Sequence, residues 1–167
     1  TGAFFVTATI ANANTSRAIP SSNPNSLLNT TIEHRNRRIT IEPRGIAINS
    51  TGTVAYITDH GRHPIRGRTV WVLDLHTNTV MTTITVGDLP EFVVIRGTLM
   101  YVSCYGQSTI SVINTRTNTV ISVITDNQGL QGLAINSTGT FMYGCNNVQD
   151  TVVIIDLTTN TIPETIL

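Results

Sequence analysis

Lysine is missing from this sequence altogether. All ten basic residues are arginine, ten acids balance them, and the formal net charge is zero. A nucleic-acid binder carries a basic excess, so that class is disfavoured. Only 12% of residues are charged and 5% are aromatic, so a core has to be built from Val, Ile and Leu. No apolar run approaches the roughly 18 residues that a membrane-spanning helix needs. Thr1 to Ile10 has neither a basic start nor a cleavage site, so no signal peptide is visible, although one removed beforehand fits equally well. Two cysteines, Cys104 and Cys145, are too few for a disulfide framework.

Threonine and asparagine fill the space that the charged residues leave. A lysine-free, Thr/Asn-rich composition points to an extracellular or cell-surface protein. Four N-x-[ST] sequons, at Asn14, Asn29, Asn49 and Asn136, are candidate glycosylation sites, although a chain of this composition also makes sequons by chance.

The sequence repeats itself. Gly45-Ile46-Ala47-Ile48-Asn49-Ser50-Thr51-Gly52-Thr53 returns as Gly132-Leu133-Ala134-Ile135-Asn136-Ser137-Thr138-Gly139-Thr140. A Thr-Asn-Thr turn starts at Thr77, Thr117 and Thr159, at steps of 40 and 42 residues. Units of about 40–45 residues with strand-like content are the mark of a β-propeller. The expectation is an all-β propeller of four repeats, each a four-stranded antiparallel blade, within a single domain spanning 1–167. The blades fall at about 1–43, 44–87, 88–129 and 130–167, with the first incomplete.

In the second unit, strands are expected at Arg44–Asn49, Val54–Thr58, Thr69–Leu75 and Val80–Val86, with a polar loop from Asp59 to Arg68. In the third they fall at Phe92–Ile95, Leu99–Ser103, Thr109–Asn114 and Thr119–Thr125. The first unit is degenerate: Thr1–Thr7 matches Thr51–Ile57, and Ser26–Ile32 and Arg38–Ile41 are its third and fourth strands. Val70–Leu73 and Val152–Ile155 are continuously apolar, which predicts cover on both faces. A blade stacks to shield its faces. Thr1 falls on a turn and Leu167 at the end of a fourth strand, so about fifteen strands leave one blade short. Ring closure, pairing with other copies, or membership of a longer chain each remedy this; the last two are favoured, with the missing strand donated by another segment.

These repeats resemble the YVTN family of β-propellers. The resemblance rests on Tyr56-Ile57-Thr58-Asp59, Tyr101-Val102-Ser103-Cys104, Val70-Trp71-Val72-Leu73-Asp74, Ile110-Ser111-Val112-Ile113-Asn114, the Thr-Asn-Thr-Val turns and Ile84-Thr85-Val86-Gly87-Asp88-Leu89-Pro90. It is strong over 45–167 and weak before that. The first turn departs from the pattern, with Asn-Ser-Thr-Gly in place of Ser-Pro-Asp-Gly, and the repeats are fewer than the usual seven or so. The resemblance implies cell-surface or extracellular scaffolding and binding. Similar propellers are also redox enzymes carrying haem or copper, or lactone hydrolases.

Candidate sites are few. Asp74, Asn114 and Asp156 share one repeat position, which suits closure of the following turn. The long loop of the second unit carries His60, Arg62, His63, Arg66 and Arg68. These are candidate ligands for a carboxylate, phosphate or sugar, and a solvated polar loop is the plainer reading. The first unit's loop, Ala8 to Asn25, lies on the same propeller face. His60-x-x-His63 lacks a third ligand, so no metal and no cofactor is expected. Trp71 reads as core. No nucleophile elbow or phosphate-cradling loop is present, so no catalytic residue is assigned. Cys104 and Cys145, offset by one position in successive repeats, face each other only if the sheets approach closely; two buried free thiols are favoured over a bridge. The chain reads as a non-catalytic structural or adhesive module partnered by further blades or copies, with glycans as further candidate partners. A secreted binder of carbohydrates or anions, or a fragment of a propeller enzyme, is the alternative.

Overall fold

The computed structural model describes residues 30–34, 37–125 and 129–166. Three sheets, each of four antiparallel strands in meander order, follow one another along the chain. The first joins β3 (Pro43–Ile48), β4 (Val54–Asp59), β5 (Thr69–Asp74) and β6 (Thr79–Thr85). The second joins β7 (Pro90–Arg96), β8 (Leu99–Cys104), β9 (Thr109–Asn114) and β10 (Thr119–Thr125). The third joins β11 (Gly132–Ile135), β12 (Phe141–Asn146), β13 (Thr151–Asp156) and β14 (Thr161–Ile166). Ahead of them β1 (Thr30–His34) and β2 (Arg37–Ile41) form a two-stranded antiparallel pair. Of the expected third strand of the first unit, Ser26–Ile32, the described residues Thr30–Ile32 are strand, and the strand runs on to His34. The other expectations on residues 1–29, Asn14 and Asn29 included, lie outside the described residues. Among the described residues the only helical element is a single 3-10 turn, Tyr105–Gln107. These are the blades of an all-β propeller.

The strands begin and end where the turn chemistry requires. In each Thr-Asn-Thr turn the asparagine takes positive φ: 54° at Asn78, 54° at Asn118 and 55° at Asn160. Asparagine tolerates this left-handed conformation better than any residue but glycine. The flanking threonine hydroxyls bond to each other, Thr77 to Thr79 at 2.9 Å, Thr117 to Thr119 at 2.7 Å and Thr159 to Thr161 at 2.8 Å. Asp74 Oδ1 accepts from the His76 and Thr77 amides, Asn114 Oδ1 from the Arg116 amide, and Asp156 Oδ1 from the Thr158 and Thr159 amides. The shared repeat position therefore closes the turn that follows it.

The core lies between sheets. Tyr56, Val70, Val72 and Ile84 of the first sheet pack against Val93, Met100, Val102 and Ile113 of the second. Tyr101, Ile110, Val112 and Ile124 on the second sheet's other side pack against Met142, Val153 and Ile155 of the third. The first sheet's far side buries Ala55, Ile57, Trp71 and Leu73 with Ile41. Trp71 is core, as its strand implies.

In the first two sheets the middle strands are covered on both faces, as a stacked blade requires: β5 and β9 each bury four consecutive residues. The expectation fails for Val152–Ile155. Val153 and Ile155 are buried, whereas Val152 and Ile154 are only half covered. Side chains alternate along a strand, and nothing described packs on the second face of the third sheet.

Cys104 and Cys145 separate for the same reason. Cys104 is buried between the first two sheets, Cys145 is exposed on the open face of the third, and both thiols are free. The expectation of a buried pair is corrected. Burial pushes the Cys104 thiol up, which makes it a poor nucleophile at neutral pH.

Candidate functional site

A β-bulge interrupts the first strand of the first sheet and the first strand of the second. The β3–β4 register slips between Pro43 and Ile46, and the β7–β8 register between Pro90 and Val93. A bulge strands a backbone N–H. Thr58 Oγ1 takes up the Gly45 amide at 2.7 Å, and Ser103 Oγ takes up the Phe92 amide at 3.1 Å. Thr58 and Ser103 are fully buried. Cys145 stands at the same repeat position, where β11 and β12 pair regularly through Gly132 and Cys145. Thr58 also donates to the Glu91 carbonyl of the second sheet. A Cβ on Gly45 would sit 2.6 Å from that carbonyl, so only glycine fits. Nothing in the sequence reading singled out this hydroxyl, although a small hydroxyl two residues past a repeated tyrosine was visible there.

The long loop after β4 is pinched at its neck. The Gly67 amide donates to the His60 carbonyl at 2.7 Å. A Cβ on Gly67 would meet the Asp59 carbonyl and one on Gly61 the Gly67 amide, so both positions exclude a side chain. Asp59 Oδ1 accepts from the Glu42 and Gly61 amides, and Trp71 Nε1 donates to Asp59 Oδ2 at 3.4 Å. The neck continues into the next blade: the Leu89 amide donates to the Gly67 carbonyl, and the Tyr105 amide to the Leu89 carbonyl.

The five candidate ligand residues separate on this frame. His60 Nε2 lies 3.0 Å from Glu91 Oε1, with both groups mostly buried, and its Nδ1 lies 3.2 Å from the Gly61 carbonyl. Arg68 Nε donates to Asp88 Oδ1 at 2.8 Å, and Arg66 lies 3.8 Å from Asp88 Oδ2. Arg62 sits at the tip, its carbonyl accepting from the Ile65 amide. His63 precedes Pro64 through a cis peptide and is exposed. The structure therefore gathers His60, Arg66 and Arg68 against carboxylates of the second sheet's entry and leaves Arg62 and His63 outward. Both arginines at Asp88 remain more than half exposed. Among the described residues no group of three His, Cys, Asp or Glu is placed to hold a metal. None of their helices is long and apolar enough to cross a membrane.

The described sequons are both turn residues. Asn49 Oδ1 accepts from the Thr53 and Val54 amides while its Nδ2 donates to the Thr53 hydroxyl. Asn136 repeats this with Thr140 and Phe141. Thr51 and Thr138 bond the same threonines, at 2.8 Å each. The turn itself thus accounts for the recurrence of Asn-Ser-Thr-Gly-Thr.

Neither a protein-family profile nor a curated relative matches the chain. Solved structures do. Hydrazine synthase of Kuenenia stuttgartiensis superposes with a TM-score of 0.68 at 22% identity, over 77% of this chain and 38% of that one. The WD40 domain of Toxoplasma gondii coronin gives 0.64 at 9% identity, over 76% and 34%. A functionally unknown protein from Desulfotomaculum acetoxidans gives 0.63 at 16% identity, over 79% and 45%. The likeness at these identities is one of fold, and the chain spans less than half the length of each.

Proposed function

We propose that this chain is a non-catalytic structural or adhesive propeller module of the YVTN type, working outside the cell or at its surface and assembling with further blades. The observation that carries this reading is the use made of its polar groups. Asp59, Glu91 and Asp88, and the histidine and arginines that face them, hold loop to link and blade to blade. The repeated Asp, Asn and Thr residues hold turns. Such a molecule uses its scarce charge for internal register, as a scaffold does. The composition, free of lysine and rich in Thr and Asn, supports an extracellular setting.

Shaving tests the location. Every tryptic site in this chain is an arginine, so trypsin applied to intact producing cells should release peptides ending at exposed arginines such as Arg44 and Arg116. Release only after lysis would overturn the surface reading.

One observation favours the binder alternative. Arg66 and Arg68 converge on Asp88 with their guanidinium groups largely open to solvent, and arginine pairs take anions bidentately. If this site binds sulfated or carboxylated glycans, Arg66→Ala with Arg68→Ala abolishes retention on a heparin or polyuronate column. Unchanged retention dismisses it.

A further inference from the structure

Ile65 is 76% exposed and Val148 65%, more than any other large apolar side chain among the described residues. Each lies in the connection between the second and third strands of its blade, Ile65 between β4 and β5 and Val148 between β12 and β13. A chain of contacts joins these connections along one side of the stack. The Leu89 amide donates to the Gly67 carbonyl and the Gly106 amide to the Asp88 carbonyl. A Cβ on Gly129 would lie 3.0 Å from the Tyr105 ring, and the Gln131 amide donates to the Cys145 carbonyl. The two aliphatic tips therefore stand on the same face, one on the first sheet and one on the third.

Both tips are held out on closed frames. The Ile65 amide donates to the Arg62 carbonyl at 2.7 Å, above the neck that Gly67 and His60 pinch shut. Asn146 Oδ1 accepts from the Val148 and Gln149 amides. Positive charge gathers at the first tip, where Arg62, His63 and Arg66 are exposed. Arg66 and Arg68 keep 59% and 57% of their side-chain surface open even with Asp88 beside them. The second tip carries the exposed acid Asp150 instead. A single exposed aliphatic residue is ordinary. Two held tips on one face, one of them ringed by arginine, make a surface with a preference.

From this we infer that this face rests on a membrane surface containing anionic phospholipid, with Ile65 and Val148 dipping below the headgroups and Arg62, Arg66 and Arg68 engaging lipid phosphates. The inference adds a mode of attachment to the module reading and does not depend on it. Aliphatic side chains buried at the headgroup boundary, combined with attraction to anionic lipid, hold a protein on a bilayer without a spanning segment. Arginine binds phosphate bidentately. A plane meets both tips at once, whereas a pocket on a protein partner takes one. Tips already ordered lose little freedom on contact. Two tips bind weakly in one copy, and the attachment strengthens when copies share a surface.

Co-sedimentation of the purified chain with vesicles tests this, using phosphatidylcholine alone and phosphatidylcholine with phosphatidylglycerol. The chain should pellet with the anionic vesicles at low salt and be shed as salt rises. Ile65→Ser with Val148→Ser should lower the partition by about tenfold, as expected for partial burial of two aliphatic side chains. Its strand signal in circular dichroism should be unchanged, since both side chains are exposed. Arg62→Gln with Arg66→Gln and Arg68→Gln should abolish the preference for phosphatidylglycerol. No pelleting with either vesicle overturns the inference. So does binding that Ile65→Ser with Val148→Ser leaves intact, which reduces the contact to headgroup charge alone. Release by inorganic phosphate, where sodium chloride of equal ionic strength leaves the chain bound, marks a free-anion site and overturns it as well. Each of these outcomes leaves the module reading standing.

Discussion

The Thr58 hydroxyl donates to the Glu91 carbonyl at 2.9 Å, across the boundary between the first and second sheets, while accepting the Gly45 amide at 2.7 Å. One buried atom thus serves a bulge in its own blade and the start of the next. Thr58→Val keeps the shape and strands both partners. Leaving a buried polar group unsatisfied costs about 1–3 kcal/mol. Urea unfolding should place Thr58→Val lower by that amount, with Thr58→Ser much closer to the parent.

Gly45→Ala drives a methyl into the Glu91 carbonyl, which is backbone and cannot swing aside. Overpacking of this kind costs about 1–3 kcal/mol. The midpoint of thermal unfolding should fall, whereas Gly52→Ala, with nothing near its Cβ, should show only the cost of positive φ.

Asn118 holds a left-handed conformation, and its Oδ1 is buried without a partner. Asn118→Gly removes both burdens and should be neutral or stabilising. Asn118→Val should destabilise by about 1–2 kcal/mol, the left-handed penalty of an ordinary residue. Denaturant midpoints of the two variants should move in opposite directions or split by that margin.

Acid should loosen the turns. The Thr77 and His76 amides hold the Asp74 carboxyl below its ordinary range, and the Thr158 hydroxyl and amide do the same for Asp156. The folded groups take up protons less readily than the unfolded ones. Their contribution is therefore complete above the unfolded value of about 4 and is lost as pH falls through the lower folded value. Asp74→Asn with Asp156→Asn copies the residue at Asn114, and should flatten the decline of melting temperature below about pH 5.

The tyrosines give the opposite limb. Burial raises the Tyr56 and Tyr101 hydroxyls above their ordinary value. Their share of stability is complete below about pH 10 and lost as pH rises through the raised folded value. Tyr101→Phe should retain more of its neutral-pH melting temperature at high pH than the parent does.

Strand positions were legible because local chemistry fixes them. Thr109–Asn114 and Thr119–Thr125 are joined by a turn that the Asn114, Thr117 and Thr119 side chains make, and the sequence alone places both strands to the residue. Cover was not legible. The run Val152–Ile155 reads like Val70–Leu73, yet the exposure of Tyr143 and Cys145 depends on what stacks next, which periodicity inside one strand does not encode. The loop was half legible. His60, Arg66 and Arg68 stood out as charges in a charge-poor chain, but Glu91 and Asp88 lie in the next unit, ahead of the strand expected at Phe92–Ile95. Opposite charge beside an arginine-rich loop was the available clue.

The repeated Asn-Ser-Thr-Gly-Thr and Thr-Asn-Thr hairpins close with side chains only a few positions away, Asn49 onto Thr53 and Asp74 onto Thr77. A unit so finished carries its own bends wherever it is copied. Duplication or loss of one whole unit in evolution then alters the number of blades without disturbing any bend already made, and the near-identical Gly45–Thr53 and Gly132–Thr140 segments are what such copying leaves behind.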